Sequence, residues 1–435
     1  MPRLGVVTRR IDTRWLGAAA GASMQPPLKL RESAHPDAQP WQSGGYSFST
    51  MVLMKETTAT RIGVAMLGHG FMGGIHSRAL RAIGVTTWPV AAVPVLLSIC
   101  GQNPETTEMA RRRYGWECSS TDWRDQLDDS RVTLFVNAAP TALHVEPTLE
   151  ALRLGKHVFC EKPLAVTANE AHTLWSAATA AGVVHACGFN YRFFPALALA
   201  RQLIQRGDLG DIRRFRSRFF VPNTPSRDAG AQERFVRRAG DATRSVASHH
   251  IDAARFLVGE ISCVFAHLAS EDAAFEPGDR HECTVQALLT FENGASGTLE
   301  AALVSTCPAV ESIIEVDGSL ATMRFSLQTL NTLEVSTRAG RRMVSVADPA
   351  DPFMEHWYPF GHPIGWGDSF VHEMANVLQG IAEESDVPVL HATFEDGYRC
   401  AEICDSIFVS ARERRPVTVC CRTATGDVAD PKTGR

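Results

Sequence analysis

The pattern of apolar and polar positions changes once along this chain. Between residues 61 and 188, short unbroken apolar runs alternate with stretches of helical periodicity. Residues 61–67 form the first run and predict a buried strand that ends in a glycine loop. Residues 75–83 carry a helical stripe of Ile75, Ala79, Ala82 and Ile83. A second buried strand is predicted at 95–100. A helix follows at 104–114, with Pro104 in its first turn. A short helix opens at 121–124, and 132–137 reads as a strand. Residues 144–154 read as a helix stopped by Gly155. Another strand is predicted at 157–160. Residues 167–181 form a helix in which Thr167 and Glu170 have capping-box spacing. Residues 183–189 give the last strand of this series. Such alternation predicts a doubly wound parallel sheet.

After about residue 210 the period becomes two. Alternating runs occupy 212–220, 263–269, 283–291, 295–302, 313–316, 320–325 and 332–335. Glu292-Asn293-Gly294 is a hairpin signal between two of them. Helices are expected at 251–257, 369–384 and 393–412, then a short strand and a polar tail. The fold class is therefore α/β: an N-terminal Rossmann doubly wound parallel sheet, then an α+β domain with an open, mainly antiparallel sheet. The expected boundaries are 61–188 and 189–415, with a tail at 416–435.

The first sixty residues do not fit this pattern. They lack periodicity and are rich in Pro, Gly, Ser and Gln, so 1–60 reads as a disordered extension, or the chain starts at Met51 or Met54. Arg9-Arg10 before a short apolar stretch faintly resembles a twin-arginine export signal, but Asp12 interrupts the entry.

Composition narrows the function classes. The 435 residues leave room for two domains, and 45% hydrophobic with 21% charged residues fits a globular protein. A net charge of -5 without a basic stripe argues against nucleic acid. The longest apolar stretch, 90–100, is broken by Pro94 and is too short for a membrane span. Eleven scattered cysteines show no disulfide framework and no metal-ligand spacing, which fits reduced thiols, a cytoplasmic location and no metal.

Two motifs carry chemistry. In Gly68-His69-Gly70-Phe71-Met72-Gly73, Gly68 permits a tight turn, Gly70 lets backbone approach a pyrophosphate, and Gly73 lets helix pack on strand. The following helix N-terminus supplies oriented N–H groups. The second strand ends in Cys100-Gly101-Gln102-Asn103, without the acid that would hold an NAD ribose. Both NAD and NADP stay open, with Gln102 and Asn103 as hydrogen-bonding groups. The second motif is Glu161-Lys162-Pro163, at the carboxyl end of a parallel strand, where ligands bind. Lys162 can carry a proton if its pKa is lowered, and Glu161 can orient it or hold a ribose. Ser248-His249-His250-Ile251-Asp252 opens an apolar helix, and a histidine there could share the proton.

These residues resemble the Gfo/Idh/MocA family of NAD(P)-dependent sugar and cyclitol oxidoreductases. The resemblance rests on the glycine loop, Ala139-Pro140 with His144, Glu161-Lys162-Pro163, Phe189-Asn190-Tyr191-Arg192, and His249-His250-Ile251-Asp252. It spans roughly 61–415. Trp88-Pro89, Tyr114-Gly115-Trp116, Gly361-His362-Pro363-Ile364-Gly365-Trp366 and Phe370-Val371-His372-Glu373 resemble the levoglucosan dehydrogenase-like branch. The resemblance implies Lys162 as acid/base and His249 as catalytic histidine. It implies a cofactor held by residues 68–73, Gln102, Asn103, Ala139, Pro140, His144, Glu161, Lys162, Asn190 and Arg192. Substrate would meet Lys162, Tyr191, His249 and His250. The substrate class is a sugar, anhydrosugar or cyclitol, and the outer face of the second sheet would build a homodimer or homotetramer. Two departures stand out. Ser245 occupies the place of the family's usual Asp, with Asp241 one turn earlier, and 221–244 lacks the aromatic substrate-loop pattern. A non-catalytic cofactor and sugar sensor, or a redox-neutral lyase or glycosidase, therefore stay open beside a dehydrogenase.

Overall fold

The computed structural model describes residues 59–86, 90–222, 241–270, 282–305, 307, 309–346, 351–354, 363–383 and 390–426. Expectations for the N-terminal extension, Trp88-Pro89, the loop at 223–240 and the end of the tail lie outside the described residues.

The first sheet has six strands: β1 (Thr60–Leu67), β2 (Ala92–Cys100), β3 (Cys118–Ser120), β4 (Leu134–Asn137), β5 (His157–Cys160) and β6 (His185–Cys187). All pair in parallel, in the order β3-β2-β1-β4-β5-β6. The order reverses between β1 and β4, so the crevice for a ligand opens above their carboxyl ends. Helices α1 (Phe71–Thr86), α2 (Pro104–Tyr114), α3 (Trp123–Asp128), α4 (Val145–Arg153) and α5 (Ala168–Ala181) make the crossovers. α2 ends at Gly115 with φ 74°, and the capping box of Thr167 and Glu170 opens α5. Such a sheet is covered on both faces, which is why its strands read as unbroken apolar runs.

Three elements differ from the sequence reading. α1 starts at Phe71, directly off the glycine loop, and its buried face runs through His76, Ser77, Ala79, Leu80 and Ile83. The stripe is rotated from the one the apolar residues suggested, because polar His76 and Ser77 are buried there. β3 has only three residues, too few for a periodic signal. Helix α6 (Pro195–Gln205) lies in a stretch that carried no expectation and buries Ala196, Leu197, Ala200 and Leu203.

The second sheet has nine strands: β7 (Ile212–Pro222), β8 (Ile261–Ala269), β9 (Thr284–Phe291), β10 (Ser296–Ser305), β11 (Glu311–Gly318), β12 (Ala321–Ser326), β13 (Thr332–Thr337), β14 (Gly340–Ser345) and β15 (Val417–Thr418). Their order is β14-β13-β12-β11-β7-β10-β9-β8-β15. Every pair is antiparallel except β7 with β10. Burial alternates along β9 and β12 as the period of two requires. β14 is an exposed edge strand with no buried face to mark it in sequence.

Three more helices tie the halves together: α7 (Ser248–Leu257), α8 (Asp368–Glu383) and α9 (Phe394–Glu413). α9 packs on β8 and α5, and α8 packs on α1. Phe370, Met374, Val377 and Leu378 of α8 join Ile62, Val64, Met66 and Leu80 in one core. The far end of the chain thus helps build the wall of the first sheet. Among the described residues no helix is long and apolar enough to cross a membrane.

Phe215, fully buried at the centre of the second sheet, meets Phe291 edge-on at 6.2 Å. Phe215→Ala should cost about 3–5 kcal/mol in equilibrium denaturation, and a loss under about 1 kcal/mol would contradict this packing.

Candidate active site

The glycine loop has the geometry that a pyrophosphate site needs. Gly68 adopts φ +99°, and a Cβ there would lie 2.5 Å from Ala138 O. A Cβ on Gly73 would lie 2.1 Å from Gly68 O, so only glycine lets α1 pack this close. Gly70 has nothing within 4 Å of its Cβ position and faces open space. That gap sits at the N-terminus of α1, where free N–H groups attract an anion. The residues present therefore fit a dinucleotide.

The tip of β2 is occupied differently from the sequence reading. A Cβ on Gly101 would lie 2.2 Å from the His69 ring. Asn103 spends its Oδ1 as the N-cap of α2, accepting from Thr106 N at 3.0 Å. Gln102 is exposed.

Above β4, the Ala139-Pro140 turn is bound to the Glu161-Lys162-Pro163 turn. His144 makes that tie: Nε2 lies 2.9 Å from Ala139 O, and Nδ1 lies 3.0 Å from Pro163 O. His144 is buried, so it fixes two loops of the crevice to each other and does not face open space. The Lys162–Pro163 peptide bond is cis.

Lys162 reaches across the crevice. Its Nζ donates to Ser245 O at 2.5 Å. Burial pushes its pKa down from the usual lysine value, against the raising influence of Glu161. Ser245 belongs to a π-helical turn, Thr243–Ala247, that leads straight into α7. His249, one residue into α7, is close enough for the Lys162 charge to act on it. Burial first, then Lys162, then His250, hold its pKa well below the ordinary histidine value. Its ring sits among Tyr191 at 5.0 Å, Phe219 at 6.0 Å and Phe189 at 6.3 Å. A neutral imidazole thus stands beside a lysine inclined to be neutral.

Other expected site residues are bound elsewhere. His250 turns toward the sheet and bonds Ser312 Oγ at 2.9 Å. Asn190 donates Nδ2 to Ser369 Oγ at 2.9 Å. Arg192 makes a two-pronged ion pair with Asp252 at 2.9 and 2.5 Å and also reaches Asp396 at 3.0 Å. Arg255 bonds Asp396 and Glu260. This network clamps α7 to α9 and so sets where His249 stands.

Two further groups escaped the sequence reading. His76 Nε2 lies 2.6 Å from Glu161 Oε1, while Glu161 Oε2 accepts from Lys162 N at 3.0 Å. Glu373 is buried, with no partner on either oxygen among the described residues. Burial and then the Glu161 charge push its pKa well up. Phe71, 76% exposed, stacks on Trp366 at 6.5 Å beside the glycine loop. The signal for His76 was a polar residue inside a helix otherwise packed on the core.

The chain compares with known proteins as follows. Residues 62–189 match the family model described as oxidoreductase family, NAD-binding Rossmann fold. Residues 197–342 match the GFO/IDH/MocA C-terminal domain. Levoglucosan dehydrogenase of Pseudarthrobacter phenanthrenivorans is 33% identical over 385 residues, covering 82% of this chain and 98% of that protein. This chain belongs to the GFO/IDH/MocA oxidoreductase family. A solved levoglucosan dehydrogenase in complex with NADH and levoglucosan superposes with a TM-score of 0.77, covering 83% of this chain and all of that one. The scyllo-inositol 2-dehydrogenase (NAD(+)) of Bacillus subtilis is 28% identical over 247 residues, 55% of this chain and 67% of that protein. The GFO/IDH/MocA Rossmann half of this chain is an NAD-binding domain.

Arg192→Met should lower stability by about 3–5 kcal/mol, because it strands the Asp252 carboxylate in the interior. Thermal denaturation checks this, and an unchanged Tm would contradict the clamp.

Proposed function

We propose that this chain is an NAD-dependent dehydrogenase that oxidises a hydroxyl of a sugar, anhydrosugar or cyclitol to a ketone. One observation carries the reading: Lys162, at the end of a strand of the NAD-binding sheet, bonds Ser245 O and lies near enough to His249 for its charge to act there, with burial lowering both pKa values. A bound nicotinamide would supply the hydride acceptor. The chain's own part is the proton. A neutral Lys162 Nζ accepts the proton of the substrate hydroxyl, because an alcohol that gives up hydride must also lose its proton. Ser245 O fixes the direction of Nζ, and the tie from Glu161 to Lys162 N fixes its backbone. His249, neutral, can hold the hydroxyl by a hydrogen bond or pass the proton outward. Its aromatic surround of Phe189, Tyr191 and Phe219 keeps water away from the imidazole.

The likeness to levoglucosan dehydrogenase supports an anhydrosugar as the first substrate to try. NAD is favoured over NADP because no arginine stands among Gly101, Gln102 and Asn103 at the tip of β2 to grip a 2′-phosphate. We further propose the domain division at 188/189 and a cytoplasmic setting. Association of copies would run through the outer face of the second sheet, where Phe265 and Leu288 are exposed.

Lys162→Met should leave NADH binding by fluorescence within about twofold and lower kcat with levoglucosan by several decades, on the order of a lost general base or more. Retained turnover would end the assignment. NADH binding with no turnover of any sugar or cyclitol by the wild type would favour a sensor.

A further inference from the structure

The π-helical turn that offers its carbonyl to Lys162 is itself held at its start by two carboxyl groups. Glu282, fully buried at the foot of β9, accepts from Thr243 N through Oε1 at 3.1 Å. Its backbone oxygen accepts from Ala242 N at 3.1 Å. Asp241 Oδ1 accepts from Arg244 N at 2.5 Å, and Asp241 O accepts from Ser245 N at 3.0 Å and from Ser245 Oγ. The first N–H groups of the helical segment running into α7 are thus taken up by these two residues. Helix starts leave such donors without intrahelical partners, and carboxyl oxygens satisfy them.

The two acids are not equivalent. Asp241 is paired with Arg244, whose other nitrogen reaches Asp405 at 2.8 Å. The Cys404 thiol lies against Thr243 O at 3.9 Å. Glu282 has no cation beside it among the described residues, and its Oε2 is buried without a partner. Of the two carboxyl groups at this helix start, Asp241 has the guanidinium of Arg244 and Glu282 lacks a cation among the described residues.

We propose that Glu282, paired with Asp241, is a positioning residue for Lys162: it fixes the π-helical turn so that Ser245 O stands at the lysine Nζ. This inference rests on the reading of Lys162 as proton carrier. Among the described residues Glu282 makes no hydrogen bond to Lys162, so it acts through Thr243 and Ser245. Burial first and then the Asp241 charge push its carboxyl up to about 8. The uncharged form therefore prevails at neutral pH, and a glutamine can imitate it.

The test compares E282Q, E282A and wild type. The chain has five lysines, so the Cε resonance of Lys162 in lysine-labelled protein is assigned by its loss in Lys162→Met. In E282A the Lys162 titration should shift by about half a pH unit or more, while E282Q should overlay the wild type. With levoglucosan and NAD, E282A should lose about tenfold in kcat with KM nearly unchanged, and E282Q should restore it. A second readout needs no turnover. Unfolded glutamate loses its proton near ~4.3, whereas folded Glu282 holds it up to about 8. Between those values the unfolded chain binds fewer protons, so rising pH costs the wild type stability that E282Q keeps. The Tm difference, E282Q minus wild type, should widen from about pH 4.5 to about pH 8 and stay level above. A Lys162 titration unmoved in E282A overturns the positioning role, and a Tm difference independent of pH overturns the protonated Glu282 at neutral pH. Absence of wild-type turnover, with the Lys162 titration shifted in E282A and restored in E282Q, would sink the dehydrogenase reading and leave the positioning role standing.

Discussion

The site depends on one contact, the hydrogen bond from Lys162 Nζ to Ser245 O at 2.5 Å. It joins the end of β5 in the first sheet to the turn that launches α7, so the two halves of the chain meet at the proton-bearing atom. A buried ammonium is costly, and a lysine in such a place either finds a counter-charge or gives up its proton. Here the acceptor is a backbone carbonyl, which directs the amine without adding a negative charge. A carboxylate in that place would favour the ammonium. The carbonyl leaves desolvation as the dominant influence on the amine.

The same logic governs the groups beneath. Glu161 would hold Lys162 in its charged form if left alone, but His76 faces one of its oxygens and the Lys162 backbone the other. Glu373 lies near enough for the Glu161 charge to favour its protonated form. The crevice floor is thus built from acids that are either bonded or pushed toward the protonated form. Around it, the Arg192, Asp252, Asp396 and Arg255 network is fully paired and fixes α7 mechanically. Arginine suits that role because it stays charged when buried and binds carboxylates in two-pronged fashion.

Much of this was legible in the sequence. The strands of the first sheet read as apolar runs because both faces are covered, and the capped helices α2 and α5 carry their boundaries in Asn103, Gly115, Thr167 and Glu170. β14 and α6 were not legible: one is an exposed edge, the other an Ala/Leu stretch without punctuation. Within the site, Lys162 stood out because it ends a parallel strand, whereas His249 was singled out from His250 only by the family resemblance. Arg192, Asn190, His144 and His250 were expected at the ligand, yet they bond Asp252, Ser369, loop carbonyls and, through Nε2 of His250, Ser312. Sequence spacing places a residue near a crevice, but it does not say which neighbour takes its hydrogen bonds. His76 and Glu282 were missed for the converse reason: their partners, Glu161 and Thr243, are distant in sequence and nothing local announces them.

The most direct test of the central claim is the pH dependence of kcat/KM with levoglucosan and NAD, which reports ionisations of the free enzyme. If Lys162 works as a desolvated, neutral amine, kcat/KM should rise with pH and level off below ~10.4, the value of an ordinary lysine. The rising limb should be absent from the residual activity of Lys162→Met. A rise that continues to the ordinary lysine value, or a limb that survives in Lys162→Met, would contradict the account.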